Sequence, residues 1–399
     1  MSDIRGAPRP ITIGMLWHSL NSGNLGVGAL TAANIALARE AAIAEGLTPR
    51  FVVMAARDRG TAAMTVPDTE VFTIDRRAIT GRSGFWRAVG GVDCVLDIGA
   101  GDSFAEIYGP RRFFFMMVTK AMTLTRGVPL LLAPQTIGPF TKPAYRLPAA
   151  AAMNRCVAVF ARDETSRTVA AQMAPRTRVA LSVDVAFVLP YDDRSAERGG
   201  AKLRIGVNAS GLLFAEAESG RNRFSLSYDY AAFTRALLQR LSARDDVEIH
   251  LVPHATSNTN PGDDDGALAD RLASEFPRAI RVPNFVDPSA AKSYISSLDL
   301  LIAARMHACI GAFSSGTPVV PVAYSRKFTG LFGLLEYEMM VPFTGIDVDG
   351  ALARVQQAID DRAALAAQMQ RGMAKVEALL DVYRAELRQL FARAAKPAS

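Results

Sequence analysis

Histidine and cysteine are scarce in this chain, four and three respectively among 399 residues. The histidines are His18, His250, His254 and His307, with no HExxH pair and no Cys/His cluster, which argues against a dedicated metal centre. Cys94, Cys156 and Cys309 stand apart in apolar surroundings, so a disulfide framework is excluded and a reducing compartment is expected. No apolar run reaches the ~20 residues that a membrane span needs. The opening MSDIRGAPRP lacks the charged-then-apolar pattern of a secretion signal, so the expected location is cytoplasmic, with the inner face of a membrane as the second option. Low-complexity tracts and solenoid-length repeats are also missing. Positive charge is in mild excess, with a net +6. It reads as spread along the chain rather than gathered in one tract, which favours anionic partners without indicating nucleic acid.

The chain is too long for one core, so two domains are expected. Strand-like runs at 11–17, 51–56, 71–74, 94–99, 129–135, 157–160 and 179–187 alternate with helical stretches such as 111–126. The segment PYDDRSAERGG at 190–200 is polar and carries paired glycines, which marks a linker. The pattern then restarts, with strands expected at 203–208, 247–253, 280–283, 300–303 and 318–324. The expected division is therefore residues 1–190, a linker at 191–200, a second domain at 201–347 and C-terminal helices at 348–399. The fold class expected is α/β, with two Rossmann-like, doubly wound parallel sheets facing across a cleft. The basic end LRQLFARAAK suggests a peripheral membrane contact.

Ligands of open α/β sheets bind at the carboxyl ends of the strands. The stretch 299–333 supplies two such ends. Arg305 and His307 follow one strand, and Ser325, Arg326 and Lys327 follow the next. Taken singly these are surface charges and a helix-start histidine; as a set they suit a small anion bearing phosphate or carboxylate. His254 and Arg162 stand at further strand ends. On the other wall, Gly23, Gly26 and Gly28 form a glycine-rich turn that matches neither GxGxxG nor a Walker loop. With Asn21, Asn24, Gln135 and Asp102 it suits a hydroxyl-rich acceptor. Asp184 is a lone carboxylate in an apolar, strand-like run, costly unless paired.

The pairing of two such domains resembles the GT-B fold of many glycosyltransferases, an analogy that fixes no reaction. A closer likeness rests on ordered elements: Gly23-Asn24-Leu25-Gly26, IGAGDSF at 98–104, Thr136-Ile137-Gly138-Pro139, and Arg162-Asp163-Glu164-Thr165-Ser166. Asp184–Phe187 follows, then Arg305-Met306-His307-Ala308, Gly316–Val320 and Tyr324-Ser325-Arg326-Lys327. In these the chain resembles the polysaccharide pyruvyl transferase family over most of its length. Ala100 interrupts the glycine triplet of that pattern, and Asp102 departs from it.

The resemblance implies transfer of a pyruvyl group from phosphoenolpyruvate to two hydroxyls of a saccharide or lipid-linked saccharide, as a ketal, with no cofactor besides this co-substrate. It implies Arg305 as a carboxylate or phosphate clamp, with Lys327, Arg326, Ser325 and Arg162 holding the remaining charge. His307 becomes the general acid, Asp102 or His254 the base, and Asn21, Asn24, Gly26 and Gln135 the acceptor wall. The alternatives are a glycosyltransferase with a nucleotide-sugar donor and a non-catalytic sugar- or phosphate-binding protein.

Overall fold

A computed structural model describes residues 9–56, 64–80, 84–257 and 261–395. The leader reading at 1–8, the asparagines of the polar loop at 258 and 260, and Lys396 of the basic end lie outside them.

Seven parallel strands make the first sheet: β1 (Arg9–Leu16), β2 (Leu47–Ala56), β3 (Thr69–Ile74), β4 (Cys94–Asp97), β5 (Leu130–Gln135), β6 (Val159–Ala161) and β7 (Val179–Leu181), in the order 3-2-1-4-5-6-7. Five make the second: β8 (Leu203–Asn208), β9 (Val247–Leu251), β10 (Ala279–Arg281), β11 (Leu300–Ala303) and β12 (Val319–Pro321), in the order 10-9-8-11-12. Every residue of β4, β5 and β11 is buried. Parallel strands covered by helices on both faces are buried in this way, here including Asp97 and Gln135 at the strand ends. Chain order reverses between β1 and β4 and between β8 and β11, the positions where such sheets bind ligands.

Three expectations need correction. The strand-like run at 179–187 ends at Leu181, and Asp184 lies beyond it. There its side chain accepts from Ala186 N at 3.0 Å and opens a short 3-10 turn, Val185–Val188. The carboxylate thereby escapes a strand interior where it would lack partners. The helix Leu25–Ala44 is, by length and composition, apolar enough to cross a membrane. It is instead the core helix between the two lobes, packed on the turn Val185–Val188 and on helices Pro288–Ser296, Met306–Ser314 and Arg362–Ala394. Finally, the apolar side of the basic end is spent on the core: Leu387, Leu390 and Phe391 are buried.

The long helix Arg362–Ala394 ties the lobes together. On the second lobe, Gly372 approaches Phe313 so closely that a Cβ would lie 2.6 Å from its ring. On the first lobe, Tyr383 donates to Asn34 Oδ1 at 2.8 Å. Asn34 Nδ2 faces His18 Nε2 at 2.9 Å, and His18 Nδ1 faces Leu16 O at 3.1 Å. That chain assigns one tautomer: Nδ1–H donates to the carbonyl and Nε2 accepts from the amide. Protonation would set two donors against each other. Complete burial holds the His18 pKa down at about 3.

Candidate functional site

The two lobes meet first through backbone. Leu25 N donates to His254 O at 3.3 Å, and Thr256 N donates to Gly23 O at 2.9 Å. A Cβ on Gly23 would lie 2.3 Å from Thr256 O, so only glycine permits this approach. Asn24 caps the helix it precedes, its side chain accepting from Gly26 N at 3.0 Å. With Asn24 N donating to the Ser22 hydroxyl at 3.3 Å, three N–H groups of the glycine-rich turn are thus used within the protein. Asn21 N and Oδ1 engage the Ser19 hydroxyl.

Beside this seam stands His307, in the first turn of helix Met306–Ser314, which starts where β11 ends. Its ring lies flat against Gly26, whose Cβ, if present, would be 2.2 Å from Nδ1. Nε2 makes no hydrogen bond and lies 3.7 Å from Asp184 Oδ2. Arg162, just after β6, donates to Asp184 Oδ2 at 2.7 Å and through Nε to Thr136 Oγ1 at 2.9 Å. Asp102, beyond the end of β4, meets Lys327 Nζ across the lobes at 2.5 Å and accepts from Tyr108 OH at 2.6 Å. Lys327 belongs to helix Arg326–Leu334, where the Ser325 side chain leaves the N-terminus uncapped. Arg326, beside it, is exposed. His307, Arg162, Lys327, Asp102 and Asp184 therefore form one cluster, with three members from the first lobe's strand ends and turns and two from the second lobe.

Their charges interact. Burial pulls the His307 imidazole below its ordinary range; Asp184 opposes that pull and Arg162 adds to it. Burial would raise the Asp102 carboxyl, but Lys327 and Arg162 outweigh it and hold the pKa low. Tyr324, half-buried, has its phenol pKa raised by burial, and it feels both Arg305 and Asp102. It joins this cluster to a second one.

The second cluster is centred on Asp265. This fully buried carboxylate accepts from Asn208 Nδ2, Gly211 N, His254 N and Ala255 N at 3.0–3.2 Å. Arg305 completes it, with Nη2 at 2.7 Å from Asp265 Oδ1, and a further bond from Nη2 to Asp263 at 2.5 Å. Three placements differ from the sequence reading. The fork of Arg305 is already occupied by carboxylates, because its side chain is 11% exposed and a lone guanidinium there would be costly. His254 is buried, and burial together with the neighbouring His307 holds its pKa down at about 3. Gln135 is fully buried, its amide donating to Asp97 O at 2.7 Å and Ala133 O at 3.1 Å beneath the Gly99 turn. It props that turn rather than lining an opening.

Sequence reasoning missed Asp265, Asp263 and the Asp97–Lys120 pair. Asp97 Oδ2 and Lys120 Nζ are 2.8 Å apart and wholly buried, though not aligned as a hydrogen bond. Asp97 Oδ1 in turn accepts from Gly99 N at 2.9 Å. Within that turn Ala100 takes φ +50°, left-handed backbone that glycine adopts more easily. The glycine triplet interrupted at this residue thus keeps the turn, under local strain. An acid just before Gly99 and a lysine in the next apolar helix were the available signal.

The family model for polysaccharide pyruvyl transferase matches residues 47–326. A search of curated proteins finds no match. Among solved structures, a UDP-N-acetylglucosamine 2-epimerase assigned in Listeria monocytogenes aligns with a TM-score of 0.56 at 12% identity, over 91% of each chain. The trehalose-6-phosphate protein of E. coli bound with UDP-2-fluoro glucose aligns at 0.53 and 10% identity, over 97% of this chain and 99% of that one. HepE of Anabaena in complex with UDP and glucose aligns at 0.54 and 12% identity, over 96% and 98%. At such identities the likeness establishes the fold, which is GT-B-like.

Proposed function

Since the chain belongs to the polysaccharide pyruvyl transferase family, we propose that it transfers a pyruvyl group from phosphoenolpyruvate to two hydroxyls of a saccharide. The family match carries this reading, and the residues at the lobe interface are consistent with it. One acceptor oxygen bonds to C2 of the enol phosphate as a proton reaches the methylene carbon, which becomes the methyl. The phosphate C–O bond then breaks while the second hydroxyl closes the ketal, its proton leaving with phosphate. The products are one ketal and one inorganic phosphate.

His307 is the group proposed to deliver the methylene proton. Burial pulls its pKa down, and an adjacent dianion would favour its charged form. Lys327, Arg326 and the uncapped start of helix Arg326–Leu334 offer positive charge to the donor. Arg162 orients Asp184 beside the imidazole. Asp102 is the proposed base for the acceptor hydroxyl, since its side chain is 29% exposed at the lobe interface whereas the His254 ring is buried.

The test incubates the protein with phosphoenolpyruvate and a panel of saccharides, recording phosphate release and the ketal methyl signal by NMR. UDP-glucose serves as the rival donor. Acceptor-dependent phosphate with a new methyl singlet supports the reading; release of UDP, with no phosphate from any acceptor, would overturn it.

A further inference from the structure

The net charge of this chain is not evenly spread after all. Between Glu106 and Asp163 there are eight lysines and arginines and no carboxylate, more positive charge than the net +6 of the whole chain. Lys120 is buried against Asp97, and Arg162 belongs to the site described above. Arg111, Arg112, Lys142, Arg146 and Arg155 are exposed.

The same segment carries a groove of about 690 Å³ between helices Gly109–Thr125 and Pro143–Met153. Its lining is almost wholly apolar and includes Pro110, Phe113, Met117, Val118 and Pro148. Aromatic rings make its floor, with Phe113 against Tyr145 at 4.7 Å and against Phe140 at 6.0 Å. On its rim Phe114 is 59% exposed and Leu147 69%, and Ile107 lies exposed just ahead. A soluble surface rarely gathers large apolar side chains around an open groove without a partner.

We propose that this face docks on an anionic phospholipid bilayer. Bulky apolar side chains flanked by cations are the chemistry that interfacial elements use to sit at the headgroup boundary, and the Glu106 carboxylate beside them is engaged by Thr141 and by Lys142 N. The groove lies close along the chain to the site cluster: Pro110, in its lining, follows Tyr108 by two residues, and Tyr108 bonds Asp102. Arg112 stacks over the Tyr108 ring at 5.6 Å. Docking would therefore hold the site mouth close to the bilayer, within reach of an acceptor carried on a membrane lipid. The inference concerns where the protein sits and stands or falls independently of the donor.

The test is co-sedimentation of the full chain with phosphatidylcholine vesicles, with and without phosphatidylglycerol. Binding is expected only to the anionic vesicles, weakening as salt rises. Each cation near such a surface multiplies partitioning by about five, so Arg111→Gln, Arg146→Gln and Arg155→Gln together should lower it about a hundredfold. Phe114→Ser with Leu147→Ser should lower it at least ~10-fold while thermal unfolding stays unchanged, since both side chains are exposed. No binding to anionic vesicles overturns the proposal. So does binding that the apolar pair leaves untouched, which would mark a general polyanion surface, as would preferential retention of an RNA homopolymer.

Discussion

Replacing Gly26 by alanine tests the placement of His307 more sharply than replacing His307 itself. The added Cβ would lie 2.2 Å from Nδ1 and 2.6 Å from Cγ of the imidazole. Carbon–nitrogen contacts settle near ~3.5 Å, so the overlap exceeds about 1 Å. The backbone cannot yield easily, because Asn24 caps Gly26 N and Leu25 N is bonded to His254 O in the other lobe. The ring must therefore rotate away from Asp184. A misplacement of ~1 Å in a reacting group can cost about 100-fold in rate. Alanine in this helix should meanwhile return ~0.5–1 kcal/mol over glycine, so the fold should survive. The assay is turnover with phosphoenolpyruvate and acceptor, paired with thermal unfolding. In a His307→Ala background the Gly26→Ala change should add nothing, since the ring it strikes is gone. Wild-type turnover in the Gly26→Ala variant, with unchanged unfolding, would refute both the closeness of the lobes and the part assigned to His307.

His307→Ala alone should lower turnover at least ~100-fold while a thermal-shift titration with phosphoenolpyruvate still shows binding; unaltered turnover rejects its role. Asp102→Asn should lower kcat yet also lower KM for phosphoenolpyruvate, because Lys327 loses its resident partner; a raised KM would contradict this. Arg305→Lys should show first as lost stability, ~1–3 kcal/mol by urea unfolding, because the fork that satisfies Asp265 is gone; a change confined to donor affinity would restore the arginine to the ligand. His18 and His254 have folded pKa values of about 3 against an ordinary 6.5, so the unfolded chain takes up protons that the native state refuses. Stability is thus intact above pH 6.5 and is lost as pH falls toward 3, by ~2 kcal/mol for each histidine at pH 5; identical urea midpoints at pH 7 and 5 would sink this account.

Much of this architecture is legible in the sequence because burial leaves a linear trace. The runs that became β4, β5 and β11 are apolar up to their last residues, and the polar residues at or just after those ends are the ones the sheets present at their carboxyl edges. Pairing leaves no such trace. Lys327 and Asp102 are 225 positions apart, and nothing in either neighbourhood announces the other. Arg305 reads as an available cation because Asp263 and Asp265 sit in a loop that looks merely polar, although Asp265 is the hub of the second lobe's strand ends. Gln135 reads as a cleft amide for the same reason: its position at the end of β5 is visible, and the two carbonyls that claim it are not. The cationic face between Glu106 and Asp163 was written in the sequence, but a charge summed over the whole chain conceals it.

The resident carboxylates decide how an anion can enter. Of the ion pairs at the lobe interface, Arg305–Asp265 and Arg162–Asp184 are largely buried, with carboxylate exposures of 0% and 2%. Separating either would strand a buried charge at a cost of ~3–5 kcal/mol. The Lys327–Asp102 pair is different, with its side chains 40% and 29% exposed. A pair that open to water is worth no more than ~1 kcal/mol, so a dianion carrying two charges to Lys327 can displace a carboxylate carrying one. The exchange has a chemical consequence. Lys327 is the strongest of the charges that hold the Asp102 pKa down against burial. Once the donor occupies the ammonium, the carboxylate regains proton affinity while Tyr108 still orients it. On the proposed reading, Asp102 becomes a base only after the donor has bound, which would protect the site from taking an acceptor proton with no donor in place.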